Sequence, residues 1–180
     1  GDVVLVVDFR YITHAREVTR DIHIEEVKPK RDAIYDLCTK YRISKLGFDG
    51  SHVPYNVFKS WAENLVGISL VPMNNAIEEI RRAKEPEEIA AIMAAIDAAT
   101  RAFTDVLGLV KPGSTEKEIA DELDHAMRKR GAQGPSFETI VASGPRGALP
   151  HAEPSDRKLE EGETVIIDYG AAVAGYCSDE

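Results

Sequence analysis

The sequence predicts an α/β layer over residues 1–83, with a mostly parallel or mixed sheet, followed by an α+β unit over residues 84–180. Strand and helix signals alternate through the first half. At Lys84-Glu85-Pro86 the pattern changes to one long apolar stripe of helical period. Two helical signals follow each other there, and strand signals then run to Glu180.

The elements are justified in chain order. Val3-Val4-Leu5-Val6-Val7 is an unbroken aliphatic run, the pattern of a strand buried on both faces. A short helix is expected around Tyr11 to Val18, and Ile22 to Val27 reads as a second strand. Arg31 to Tyr41 carries Ile34, Leu37 and Cys38 at helical spacing. Lys45-Leu46-Gly47-Phe48 is a short strand closed by the turn dipeptide Asp49-Gly50. Pro54 suits a helix start, with Phe58, Trp61 and Leu65 on one face, and Ser69 to Pro72 is the last strand of this half. Beyond it, Ile89, Ile92, Met93, Ile96, Ala99, Phe103, Val106 and Leu107 trace one stripe on a long helix. Pro86 fits its first turn, where a missing N–H costs nothing, and Lys111-Pro112-Gly113 ends it. Thr115 and Glu118 form a Thr-x-x-Glu capping box for the next helix. Ile119, Leu123 and Met127 are expected on its buried side, and Gly131 marks its end.

The net charge is −9, and Lys and Arg never gather without interleaved acids. That excludes the electrostatic footprint of a nucleic-acid binder and is compatible with holding cations. No apolar run approaches the roughly 18 residues of a membrane span. No basic-then-apolar signal pattern is present either. Cys38 and Cys177 are far apart and lack metal-ligand spacing, which predicts no disulfide and a reducing cytoplasm. The first strand starts without a lead-in and the last is still running at Glu180, so the chain is expected to continue on both sides. An unpaired sheet edge in the second unit then predicts association with a second copy, a homodimer, or poor order near the carboxy terminus.

The chemistry is expected between Gly134 and Glu180. Val165-Ile166-Ile167 forms a strand core that delivers Asp168. A hairpin turning near Val173-Ala174 would face positions that sum to 347, setting Asp168 directly opposite Asp179 with Cβ atoms roughly 4.5–5.5 Å apart. Like charges at that distance need a proton or a cation between them, and carboxylate oxygens are the ligands that hard divalent ions prefer. Two aspartates near a turn are more often solvated caps. The aliphatic run before Asp168 favours the metal reading, because a carboxylate placed there needs a partner or an ion.

Longer motifs then carry a resemblance. Ser136-Phe137-Glu138-Thr139-Ile140-Val141-Ala142-Ser143-Gly144, Ala148-Leu149-Pro150-His151 and Pro154-Ser155-Asp156 come first. Ile167-Asp168-Tyr169-Gly170-Ala171 and Gly175-Tyr176-Cys177-Ser178-Asp179 follow in order. Together they resemble the pita-bread metallopeptidases, closest to Xaa-Pro aminopeptidases and prolidases (Xaa-Pro dipeptidases). Val7-Asp8-Phe9-Arg10-Tyr11, Gly47-Phe48-Asp49-Gly50 and Arg82-Ala83-Lys84-Glu85-Pro86-Glu87-Glu88 extend it upstream. The resemblance implies a creatinase/prolidase-type α/β domain over 1–83. It implies the first half of an α+β pita-bread catalytic domain over 84–180.

It further implies a two-metal centre with five ligands, of which Asp168 and Asp179 match the two aspartates. The other ligands, one His and two Glu, are implied to follow Asp179 and are not among these residues. His151 matches a substrate-facing histidine that helps to hold the scissile amide. Two divalent ions are implied, Mn²⁺ first, with Co²⁺ or Zn²⁺ as alternatives. The implied reaction is hydrolysis, by a metal-activated water, of the bond after the first residue of a peptide with a free amino terminus, before proline. The 180 residues alone are expected to be inactive. Two departures stand out: Ala152 follows His151 where the family usually has Gly, and Glu180 stands where Met or Ile is more usual. Alternatives are a metal-free pita-bread protein that binds peptides or acts as a scaffold, and a creatinase-like amidinohydrolase.

Other candidates have plainer expectations. His14, His23, His52 and His125 lack a second ligand at metal spacing and read as solvated or capping residues. Cys177 reads as a small buried packing residue. Ser143-Gly144-Pro145-Arg146-Gly147 lacks the Lys-Ser/Thr end of a phosphate loop and reads as a turn at the mouth of a cleft. Trp61 is expected to pack in the first domain.

Overall fold

The computed structural model describes residues 3–27 and 33–180, and the chain divides into two compact units, Gly1–Arg82 and Ala83–Glu180. The first unit runs β1 (Val4–Val7), α1 (Ile12–Val18), β2 (His23–Glu26), α2 (Ala33–Lys40), β3 (Lys45–Phe48), α3 (Tyr55–Asn64), β4 (Ser69–Pro72) and α4 (Ala76–Arg81). β1 and β2 pair in parallel from Val4↔His23 to Val7↔Glu26, and β3 and β4 from Lys45↔Ser69 to Phe48↔Pro72. Each parallel pair is joined through a helix, since parallel neighbours need a crossover rather than a tight turn. Phe48 packs against the rings of Phe58 and Trp61, at 5.5 and 6.2 Å.

One expectation for this unit is corrected, one falls outside the described residues, and one element is additional. The Val3–Val7 run is not buried on both faces: Val3 and Val6 are exposed, and among the described residues β1 pairs only with β2. The start of the second helix at Arg31 lies outside the described residues. The six-residue α4, with Ile77 and Ile80 exposed, has no counterpart in the sequence reading.

The second unit begins with α5 (Pro86–Val106) and α6 (Glu116–Lys129), joined by a short 3-10 turn at Leu107–Leu109. Its strands are β5 (Gly134–Pro135), β6 (Ile140–Ser143), β7 (Val165–Asp168), β8 (Ala171–Val173) and β9 (Tyr176–Cys177). The α6 capping box is formed: the Glu118 N–H donates to the Thr115 hydroxyl at 3.1 Å, and the Thr115 N–H donates to the Glu118 carboxylate at 2.8 Å. Ile119, Leu123 and Met127 are fully buried on its inner face. α5 differs from the expected stripe. Its buried positions are Ala95, Ala98, Ala99, Ala102 and Val106, whereas Ile89, Met93 and Ile96 are exposed. Small side chains let α5 lie close to α6 and to β8, so burial follows the alanine face rather than the largest aliphatics. No helix among the described residues is long and apolar enough to cross a membrane.

Candidate metal centre

Two irregularities in the strands shape the cleft of the second unit. The first is a bulge between β5 and β6. Gly134 pairs with Ala172, Pro135 with Ala171, and the Ser136 N–H donates to the Gly170 carbonyl. Pairing resumes at Ile140↔Asp168. Phe137, Glu138 and Thr139 therefore stand opposite Tyr169 alone, and the surplus residues must leave the ladder. The Thr139 hydroxyl lies 2.6 Å from the Asp124 carboxylate, which ties the bulge to α6.

The second is the β8–β9 hairpin, whose register corrects the one expected. Ala172 faces Cys177 and Val173 faces Tyr176, so facing positions sum to 349 rather than 347. Reciprocal backbone bonds between Tyr169 and Glu180 carry the same register to the open end. The turn is Ala174-Gly175, with φ of 50° and 81°. A two-residue hairpin turn of this twist needs positive φ at both central positions, and glycine supplies one of them freely. Asp179 thus faces Gly170, and Asp168 is its diagonal neighbour, not its direct partner. A shift by two preserves face parity, so both aspartates leave the sheet on one side. Tyr169, Ala171 and Ser178 point the other way into the core, where Tyr169 stacks on Phe103 at 5.5 Å.

Asp168 and Asp179 line one cavity of about 490 Å³, together with His151, the bulge residues Phe137–Thr139, Ile140 of β6, and Pro150 and Ala152–Pro154. The structure thus brings His151, Asp168 and Asp179 to a single cleft. Asp168 is half-buried and Asp179 exposed. Among the described residues neither carboxylate takes part in a side-chain hydrogen bond or ion pair. Two oxygen-donor groups of like charge, unneutralised and facing one space, are a donor set that fits hard divalent ions.

His151 is carried by the segment after β6, which opens as a 3-10 turn over Gly144–Ala148. That segment is held by a residue the sequence reading passed over. Glu116, the first residue of α6, is fully buried. Its carboxylate accepts from the Ser143 N–H and hydroxyl at 2.7 and 2.8 Å, from Arg146 Nε at 3.0 Å, and from the Ser155 N–H and hydroxyl at 3.1 and 2.6 Å. An acid at this position reads from sequence as an ordinary complement to the helix dipole, so no local signal marks its burial. Burial by itself would raise the Glu116 carboxyl, but the bonds from Ser155 and Ser143 outweigh it and hold the pKa at about 2. The unfolded value is about 4.5, so folding favours the ionised form. This stabilisation is full above about pH 4.5 and is lost as the pH falls from there toward 2. Acid unfolding should therefore show a limb in that window which Glu116→Gln flattens; an unaltered limb in the variant would assign the acid sensitivity to other groups.

Two minor expectations are corrected. Cys177 is exposed, not buried, because β9 is an edge strand and residue 177 lies on the cleft side of the hairpin. His52 does have neighbours of ligand type: its Nδ1 lies 2.9 Å from Asp49, with the Glu78 carboxylate close by. Asp49 and His52 meet within one turn, and folding brings Glu78 to them from farther along the chain. Asp49 is already occupied by the Ser51 N–H and hydroxyl.

Comparison with known proteins places the chain among peptidases. The family model described as Metallopeptidase family M24 matches residues 90–180, and that described as Creatinase/Prolidase N-terminal domain matches residues 1–83. A Bacillus subtilis protein named uncharacterized peptidase YqhT is 36% identical over 175 residues, covering 97% of this chain and 50% of the relative. The Xaa-Pro dipeptidase of Pyrococcus furiosus is 33% identical over 150 residues, 83% of this chain and 42% of that protein. The crystal structure of the X-Pro aminopeptidase from Thermotoga maritima matches with a TM-score of 0.87 at 34% identity, over 98% of this chain and 50% of that one. The chain spans about half the length of the curated relatives it matches.

Proposed function

Because the chain belongs to metallopeptidase family M24, with a creatinase/prolidase N-terminal domain ahead of the first part of a pita-bread domain, we propose that the full-length protein is an Xaa-Pro aminopeptidase or dipeptidase. It would cut the peptide bond after the first residue of a peptide, before proline. The observation that supports this most is the convergence of Asp168, Asp179 and His151 on one cavity.

In this reading Asp168 and Asp179 are ligands to a pair of divalent ions, Mn²⁺ first, completed by a His and two Glu that the family resemblance implies beyond these residues. Ions held there would polarise the scissile carbonyl and lower the pKa of water. His151 presents an imidazole N–H to the scissile amide and holds it in line. Glu138 and Glu153, on the wall of the same cavity, offer carboxylates to the substrate's free amino terminus. Phe137, Ile140, Pro150 and Pro154 supply an apolar wall that keeps the peptide oriented. Residues 1–83 and 84–180 act as separate domains, and the protein works as a cytoplasmic homodimer. With two of the five implied ligands, residues 1–180 by themselves are inactive.

The full-length protein, supplied in turn with Mn²⁺, Co²⁺ and Zn²⁺, is expected to release the first residue of Xaa-Pro dipeptides or longer peptides. The same peptides blocked by amino-terminal acetylation should be resistant. Absence of hydrolysis with all three ions would reject the enzyme reading, and metal-independent peptide binding in its place would favour a binding module.

A further inference from the structure

We infer that Glu116 is a positioning residue for His151, clamping both limbs of the loop that presents the imidazole to the cleft. This rests on the peptidase reading above, and it concerns a residue outside the cavity itself. The loop leaves the sheet at Ser143 and returns to α6 at Ser155. A single carboxylate accepts from both of these residues. It also accepts from Arg146, whose Nη2 reaches across the loop to the Glu153 carbonyl at 2.5 Å. Arg157 Nη1 donates to the Ser143 hydroxyl and to Glu163, extending the clamp to the segment before β7. The returning limb is further fixed on the first turn of α6, where the N–H groups of Glu116 and Lys117 donate to the carbonyls of Arg157 and Ser155.

His151 lies at the apex between these anchors, with an exposed side chain, while the adjacent Ala152 is buried. The imidazole therefore has little packing of its own to set its place. Its position is inherited from the backbone on either side, and that backbone is held at the Glu116 carboxylate. Neutralising Glu116 leaves Arg146 without its charge partner and exchanges an acceptor for an amide that faces donors. The loop would loosen while α6, whose inner face is aliphatic, stays packed.

The test uses the full-length protein and a double-mutant cycle. Glu116→Gln is expected to lower kcat by about ten- to a hundredfold, the scale of a small misplacement of a reacting group, with KM little changed. Combining it with His151→Gln should cost nothing beyond His151→Gln alone, to within about twofold, because one residue acts through the other. Additive losses would overturn the inference, since a merely structural role weakens both backgrounds alike. Ser155→Ala, which keeps the Glu116 charge and removes only the hydroxyl's bond to it and the one accepted from the Arg157 N–H, gives the same cycle in a milder form should Glu116→Gln fold poorly. Hydrogen exchange reads the clamp without activity. Peptides from 144–155 should gain far more exchange in Glu116→Gln than those from α5, which register only the loss of global stability, and an equal increase in both would overturn it. If the wild type cuts no peptide, the peptidase reading fails, and the exchange pattern still decides whether Glu116 positions the loop.

Discussion

Replacing Asp168 by asparagine in the full-length protein is expected to abolish most peptidase activity while leaving the metal-free fold as stable as before, or more so. The two effects have opposite signs for one reason. Without an ion, Asp168 and Asp179 are like charges on the same face of adjacent segments, and neither has a neutralising side chain among the described residues. Removing one charge relieves that repulsion. In the proposed reading, the same carboxylate would help to retain the bound ions. Losing it forfeits several kcal/mol of charge stabilisation, or about a thousandfold in rate at roughly tenfold per 1.4 kcal/mol. Measuring bound Mn²⁺, kcat/KM and the unfolding midpoint of the chelator-treated protein separates the two. A variant that keeps its ions, or one destabilised in the metal-free state, would remove Asp168 from the centre and make it a structural residue of β7.

The second large effect is expected from Gly170→Ala. A Cβ at this position would overlap the Ser178 backbone carbonyl oxygen and the Ser136 hydroxyl, and the first of these cannot swing aside as a side chain could. The crowding has a visible cause. The Ser178 hydroxyl takes the Ala171 N–H at 3.0 Å, which leaves the Ser178 carbonyl to accept from the Ser136 hydroxyl at 2.8 Å. Three strands thus converge beside a residue with no side chain. Forcing a methyl group in should cost about 3 kcal/mol, the upper part of the range for overpacking. It should also push apart the segments that carry Asp168 and Asp179. Denaturant midpoint and metal content should fall together. A variant of unchanged stability would mean that the hairpin can slide, and that its register is not what sets the spacing of the aspartates.

How much of this was legible beforehand depended on range. Helix α6 could be read in full because its signals are local: Thr115 and Glu118 cap it, and Ile119, Leu123 and Met127 recur at helical period. The face of α5 could not. Ile89, Met93 and Ile96 outweigh Ala95, Ala98 and Ala102 on any hydrophobicity count, yet close approach of a neighbouring helix selects the small residues. The aspartates lay between these cases. A carboxylate directly after Val165-Ile166-Ile167 draws notice from sequence alone. The turn that decides its partner did not, because Val173-Ala174 and Ala174-Gly175 differ by one position and only backbone twist chooses between them.

By itself, the order of residues determined the class of each half and the ordered run of motifs around His151, Asp168 and Asp179. Those follow from periodicity and residue chemistry, which act between near neighbours in the chain. Only the tertiary structure decided that Phe137–Thr139 bulge out to wall the cleft, and that Asp168 and Asp179 are diagonal rather than opposed. It alone showed that Glu116 is buried beneath the His151 loop. Strand register, close packing and the satisfaction of a buried charge are settled between segments far apart in sequence, where no local pattern records the outcome.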